Sequence, residues 1–308
     1  VAFDVLSEVL ATLDLSSRLW FRAELSAPFG VSVPEDRDVI RFHVAARGPC
    51  TVTLDRRPPL VFGPGDLVLI PHGAPHVLSD APARPTTPLD SALDASGFDG
   101  VGPLVLGGGG DVTVVVCGQF EFGRGALHPF VSSLPPLLHV VADDTISYGW
   151  IEQVLQHIER EARTQVRGHL EVIRRLSEIL LIEVLRARLR DPGLGALAAL
   201  VDPQLGRALE ALHARPEGEW SLESLARIAG QSRTLFAERF RDRVGVSPMK
   251  YLAAWRMQIA RTLLARSGCS VGEVARRVGY ASESAFHRTF RDHFGVAPGA
   301  LRRQQSAA

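Results

Sequence analysis

Over residues 1–145 the apolar positions fall in short β-type runs. Val39-Ile40-Arg41-Phe42-His43-Val44, Thr51-Val52-Thr53-Leu54, Leu67-Val68-Leu69-Ile70 and Val112-Thr113-Val114-Val115-Val116 carry the branched and aromatic side chains that suit a pleated surface. Glycine and proline turn signals separate them, so the spacing predicts a β-sandwich or small β-barrel. Residues 79–110, with Pro82, Pro85, Pro88 and then Gly107 to Gly110, read as a loop. The period changes near Tyr148. Ile151, Val154, Leu155 and Ile158 recur at i, i+3, i+4 and i+7, which predicts a helix. Leu170, Ile173, Leu176, Leu180, Leu181, Val184 and Leu185 predict a second, stopped by Asp191-Pro192-Gly193. A shorter helix over 203–213 leads to Arg215-Pro216-Glu217-Gly218, a linker. The chain thus divides into 1–145, a β-rich domain; 146–215, linker helices; and 216–308, an all-α domain. The fold class is α+β multidomain.

The last segment contains a repeat. Phe236, Phe240, Gly245 and Pro248 recur fifty residues later as Phe286, Phe290, Gly295 and Pro298. Ala226 and Ala275 are forty-nine apart, so the second copy has one extra residue in its turn. Each copy has the logic of a helix-turn-helix. A short helix presents Leu222, Leu225 and Ala226, or Val271, Val274 and Ala275, and the small alanine lets the next helix cross closely. Gly230 and Gly279 supply the turn. Ser232 and Ser282 stand where an N-cap is needed. The next helix buries Phe236 and Phe240, or Phe286 and Phe290, and turns its opposite face outwards. Between the copies Ser247 and Pro248 open a long helix with Tyr251, Leu252, Trp255, Ile259, Leu263 and Leu264 on its apolar positions. Two recognition helices held by such a strut can enter successive major grooves about 34 Å apart. Arg233, Arg241 and Arg291 suit phosphates, which position a protein without reading sequence.

Composition sharpens this picture. The chain has 308 residues, 46% apolar and 22% charged, with a formal net charge of zero. That zero hides a split: residues 216–308 hold 15 Arg plus Lys against 8 Asp plus Glu, and the remainder 19 against 26. A basic domain joined to an acidic one fits a nucleic-acid-binding module with a regulatory partner. Cys50, Cys117 and Cys269 are few, odd in number and far apart, which argues against a disulfide framework. No apolar run is long enough to span a membrane, and the start lacks a signal-peptide pattern. A cytoplasmic location is expected.

Residues 216–303 resemble the AraC family of transcription regulators in both helix-turn-helix units, the connecting helix, and the Gly-Tyr and Phe-Gly-Val-x-Pro signatures of the second unit. The resemblance implies base-reading positions at Thr234, Ala237 and Glu238 in the first recognition helix. In the second it implies Glu283, Ser284, His287 and Arg288. Helical geometry selects the same faces. It also implies promoter DNA and RNA polymerase as partners, a homodimer formed through the helices from Tyr148 to Arg190, and activation as the commoner outcome.

Further upstream, Gly65-Asp-Leu-Val-Leu-Ile-Pro71-His-Gly73-Ala-Pro-His76-Val-Leu-Ser-Asp80 resembles the second motif of the cupin barrels, with Asp80 in place of the final Asn. The first motif departs from pattern: its ligand positions hold Pro34, Asp36 and Arg41. The resemblance to AraC-like proteins with a cupin sensor brings His43, His76 and Cys117 forward, with His72 as a possible fourth. Three such side chains pointing inwards can hold Zn²⁺ or Ni²⁺. A pocket histidine, a turn-capping histidine and a buried free thiol are the plainer alternatives. The reading is a non-enzymatic regulator controlled by a small molecule or metal in its cupin. The competing reading is a metal-dependent cupin enzyme fused to a DNA-binding domain, and the missing first-motif ligands speak against it.

Overall fold

The computed structural model describes residues 4–12, 16–37, 39–98, 103–121, 129–141, 146–189, 191–266 and 269–301. In chain order the elements open with α1 (Val5–Thr12), β1 (Ser16–Ser26), β2 (Gly30–Val33), β3 (Val39–Arg47), β4 (Cys50–Leu54) and β5 (Leu60–Phe62). There follow β6 (Leu67–Ile70), β7 (His76–Ser79), β8 (Thr87–Pro88), α2 (Leu89–Ser96), β9 (Leu104–Gly107) and β10 (Val112–Glu121). Next come α3 (Pro129–Ser132), β11 (Leu138–Val140), α4 (Ile146–Thr164), α5 (His169–Ala187), α6 (Ala196–Leu200) and α7 (Leu205–Ala214). The last are α8 (Leu222–Ala229), α9 (Arg233–Val244), α10 (Pro248–Arg266), α11 (Val271–Arg277) and α12 (Glu283–Phe294).

The chain divides into two compact units. The first, the β-rich unit, comprises Leu15–Glu121 and Pro135–Arg188. Its strands form a six-stranded sheet, β11-β6-β3-β10-β1-β9, and a five-stranded sheet, β5-β4-β7-β2-β8. The barrel-like cupin expected from the sequence takes the form of these two sheets packed over one core. Phe21, Val68, Ile70, Val115 and Cys117 come from the larger sheet; Val31, Val52, Phe62 and Leu78 come from the smaller. Residues Val39 to Ala45 of β3 are buried without a break. Such a run means that both sheet faces are covered. On the outer face α4 packs on α5 and α5 lies against β1, where Ser17 Oγ donates to the Arg174 carbonyl at 2.6 Å.

Two differences from the sequence reading stand out. The stretch 79–110 contains β8, α2 and β9 as well as loop. Leu89 and Ala92 bury a short helical face there, and Gly97 closes the helix at φ 64°; the surrounding prolines obscured that period. The boundaries also move. Helices α4 and α5 join the β-rich unit because Ile173, Leu180, Leu181 and Val184 bury their stripe there, so 146–215 is not one segment.

The other unit comprises Val1–Asp14, Phe122–Leu134 and Leu189–Ala308. Helix α1 packs against α6, α7 and α10, burying Val5 and Val9. Phe130 of α3 stacks edge-on against Tyr251 at 5.9 Å and lies 6.0 Å from the His213 ring. Stretches read as part of the sensor therefore help to build the core beneath the first helix-turn-helix. Among the described residues no helix is long and apolar enough to cross a membrane.

Candidate nucleic-acid interface and sensor centre

In the first helix-turn-helix, Leu225, Ala226 and Ala229 of α8 are buried with Phe236 and Phe240 of α9 and with Tyr251 and Trp255 of α10. In the second, Val274 and Ala275 of α11 meet Phe286 and Phe290 of α12 over Met257, Ala260 and Leu264 of α10. One strut thus serves both units. Ser232 Oγ accepts from the Leu235 amide at 3.3 Å, and Ser282 Oγ accepts from the Ala285 amide at 3.2 Å, so both recognition helices are capped as the sequence requires. Gly230 and Gly279 lie at φ 67° and 82°. At Gly279 a Cβ would stand 2.7 Å from the Glu217 carbonyl oxygen, so glycine is needed for space as well as for dihedral.

The two recognition helices expose the same pattern. Arg233, Thr234, Glu238 and Arg241 are exposed on α9, with Ala237 half-buried; Glu283, Ser284, Arg288 and Arg291 are exposed on α12, with His287 half-buried. Every position from 233 to 241 has the burial of its partner fifty residues on. The sequence-predicted faces are therefore free of the core in both copies. Chemically they differ. His287 stands 3.5 Å from the Glu283 carboxylate, and Ser284 shares a 2.6 Å hydrogen bond with Ser282. The first helix instead offers Ala237, Glu238 and Leu235, whose side chain is 47% exposed where the second copy has Ala285. Sequence reasoning passed over Leu235; its position one residue before a buried phenylalanine was the available signal. It also passed over Arg239, which turns sideways to the Asp202 carboxylate at 3.0 Å.

In the sensor, strand parity aims Arg41, His43 and Ala45 of β3 inwards and Phe42 and Val44 outwards. Cys117 pairs with His43 across β3 and β10. His76 begins β7 of the other sheet, after a turn in which Gly73 sits at φ 56° and accepts the Asp36 amide at 2.9 Å. The three side chains meet in the buried interior. His43 Nδ1 lies 3.2 Å from Cys117 Sγ, His43 Nε2 lies 2.8 Å from His76 Nε2, and His76 Nδ1 lies 2.8 Å from the Ala74 carbonyl oxygen. The carbonyl can only accept, so every proton follows. His76 Nδ1–H donates to Ala74, His43 Nε2–H donates to His76 Nε2, and the Cys117 S–H donates to His43 Nδ1. Three neutral groups thereby satisfy one another.

The electrostatics agree. Burial, then His76 and Arg41, push the His43 imidazole well below its usual range. Burial brings His76 down to about 4, with the Ala74 carbonyl opposing and Arg41 assisting. Burial pushes the Cys117 thiol well up. Arg41, itself buried, donates to the Pro34 carbonyl and supplies a fixed positive charge beside the histidines. His72 is half-buried in the turn after β6. Because His43 spends its two nitrogens in opposite directions, the donors form a line. Among the described residues no group of His, Cys, Asp and Glu is arranged as a ready metal cage. Asp80, in the place of the cupin Asn, ties the Phe29 amide at 2.9 Å and pairs with Arg84 at 2.6 Å.

A two-sheet cupin-like unit together with a double helix-turn-helix defines a DNA-binding transcription regulator. Residues 4–190 match the cupin family and residues 225–304 the helix-turn-helix domain family. A putative AraC-like transcription regulator of Streptomyces lividans is 32% identical over 97% of this chain and 98% of its own length. The RCS-specific HTH-type transcriptional activator RclR of Escherichia coli is 28% identical over 86% of this chain and 84% of its own. Among solved structures, the DNA-binding domain of AdpA in complex with a target DNA matches with 37% identity, covering 34% of this chain and 95% of that one, at a TM-score of 0.33. The chain belongs to the AraC-like transcription regulators with an N-terminal cupin domain.

Proposed function

We propose that this protein reads promoter DNA through α9 and α12, as a dimer, under the control of a ligand or metal held in its sensor. The observation that carries the DNA reading is the matched exposure of the two recognition helices over one shared strut. The protein acts in the cytoplasm as an activator that contacts RNA polymerase, the activity for which its Escherichia coli relative is named supporting that sign. The dimer forms through the sensor helices: Val172 and Ile179, two turns apart on α5, are 38% and 37% exposed, and Leu170 is 68% exposed. Ligand shifts the placement of the DNA-binding units between two arrangements.

His43, His76 and Cys117 would hold Zn²⁺ or Ni²⁺, for which two imidazoles and a thiolate are suitable donors. Bound metal would supply a charge that these residues lack when neutral. The chain's own part is to give up the Cys117 proton and free one nitrogen from each imidazole. Burial, assisted by Arg41, holds both imidazoles in the neutral form that a metal needs, while the Arg41 charge repels the incoming cation.

Selection of bound genomic DNA followed by footprinting tests the main reading. The expected result is an enriched sequence protected in two adjacent major grooves about 34 Å apart. Binding without sequence preference would overturn it. Metal analysis of protein purified without chelator tests the metal separately, and a stoichiometry near zero would remove it.

A further inference from the structure

A cavity of about 220 Å³ lies between the outer face of the six-stranded sheet and α4. Phe42, Val44 and Val116 form its floor, and Leu155 and Ile158 its roof; all five are buried. Ala46 and Pro64 close one side. Among the described residues Gln156 and Glu159 are the polar side chains in the lining, and both reach solvent. Protein interiors are packed to crystal-like density and leave few voids larger than a water. A dry apolar space of about 150 Å³ already takes a benzene ring. This one leaves room for a ring with one or two substituents.

The rim selects further. Glu159 is a hydrogen-bond acceptor, and Arg22 Nε already faces it at 3.9 Å while also pairing with Glu24. Arg22 is shared with Glu24 and only partly offsets Glu159, so the carboxylate is open to a hydrogen-bond donor and disfavours an anion, while the apolar floor and roof favour a neutral ring. We infer that the cavity under α4 is a ligand site for a small neutral aromatic molecule bearing one hydrogen-bond donor, a phenol being the simplest. It lies apart from the His43–His76–Cys117 centre, back to back with it: Phe42 and Val44 flank His43 on β3, and Val116 precedes Cys117 on β10. A ligand here would press on α4 and on the two strands that carry the inward histidine and thiol. The inference rests on the reading of this unit as a ligand sensor.

Calorimetric titration of the full-length protein with 4-methylphenol tests it, with toluene and benzoate as comparators. The expected result is one saturable site per chain, weaker for toluene and absent for benzoate. Ala46→Leu and, independently, Val116→Leu should each weaken binding at least tenfold by filling the space, and circular dichroism shows which of them remains folded. Glu159→Gln should narrow the preference for 4-methylphenol over toluene. Absence of saturable binding, or binding indifferent to a folded filling variant, would overturn the proposal. DNA binding without added ligand is measured on the same samples. Its loss would count against the regulator reading, whereas intact DNA binding without 4-methylphenol binding would count against the cavity alone.

Discussion

Arg239 of α9 places its Nη2 3.0 Å from the Asp202 carboxylate, and it also donates to Gln204. The first recognition helix is thereby pinned to the segment leading into α7. The second has Thr289 at the equivalent place, and its hydroxyl turns back to the Ala285 carbonyl at 3.0 Å. The two readers differ in how they are held as well as in what they present. Arg239→Ala should cost about 1 kcal/mol of stability, a modest figure because the guanidinium is partly solvated. It should weaken protection of the half-site under the first unit more than that under the second. Equal loss at both half-sites in a footprint would contradict this.

Arg256 fastens the strut itself. Its guanidinium donates to the carbonyls of Pro216 at 2.7 Å, Gly218 at 2.8 Å and Gly279 at 3.2 Å. It joins α10 to the linker before α8 and to the turn of the second helix-turn-helix. Arg256→Met keeps the apolar stem and leaves three carbonyls without their donor, which should cost about 2–3 kcal/mol. Urea unfolding of the full chain measures it, and a midpoint unchanged from the parent would show that water replaces the guanidinium without loss.

How much of this was legible beforehand depended on the range of the contacts involved. Ser232, Gly230, Phe236 and Phe240 act within one helix-turn-helix, and each recurs in the second copy, so the pattern declared both fold and reading face. His43, His76 and Cys117 were visible as residue types at suggestive positions. Their meeting depends on the register of β3 against β10 and on a turn that brings β7 across from the other sheet. The sequence does not display that register. Phe130 against Tyr251 was invisible for the same reason: 121 positions separate them, and no local period links them. Arg41 looked like a missing ligand in a motif; its buried bond to Pro34 emerges only in three dimensions.

The buried histidines make the sensor pH-sensitive. His76 titrates at about 4 in the folded state, against about 6.5 in an unfolded chain. Between those values the unfolded chain binds more protons, so stability rises with pH across this window and is level above it. His43, depressed in the same direction, adds to the slope. Acidification from pH 7.5 to pH 4.5 should cost the sensor a few kcal/mol. The double variant His43→Phe with His76→Leu should flatten that dependence. A parent-like slope in the folded double variant would assign it to other groups.

Val172 and Ile179 stay more than a third exposed on a helix whose opposite side is buried. An apolar pair seven residues apart lies on one face and suits a second copy of the same helix. If the proposed dimer forms here, replacing both by Glu should give monomer at micromolar concentration in sedimentation velocity, and should weaken DNA binding while changing the unfolding free energy by no more than about 0.5 kcal/mol. A variant that remains dimeric would place the interface elsewhere.

Glu238 and Arg288 occupy equivalent exposed positions on α9 and α12, with opposite charge. An arginine there can make a bidentate bond to guanine O6 and N7, whereas a glutamate accepts from cytosine N4 and otherwise repels the phosphates. Arg288→Ala should therefore weaken specific binding by about 1–3 kcal/mol and relax preference at one base pair of the half-site. Glu238→Ala should leave affinity unchanged or raise it slightly, and should reduce discrimination between specific and random DNA by less than Arg288→Ala does. The comparison is made by titrating both variants against the selected sequence and against single-base substitutions of it, at one fixed salt concentration, since phosphate terms move with salt. If Glu238→Ala costs as much as Arg288→Ala, the first helix-turn-helix reads bases as closely as the second, and the division of labour between the two copies fails.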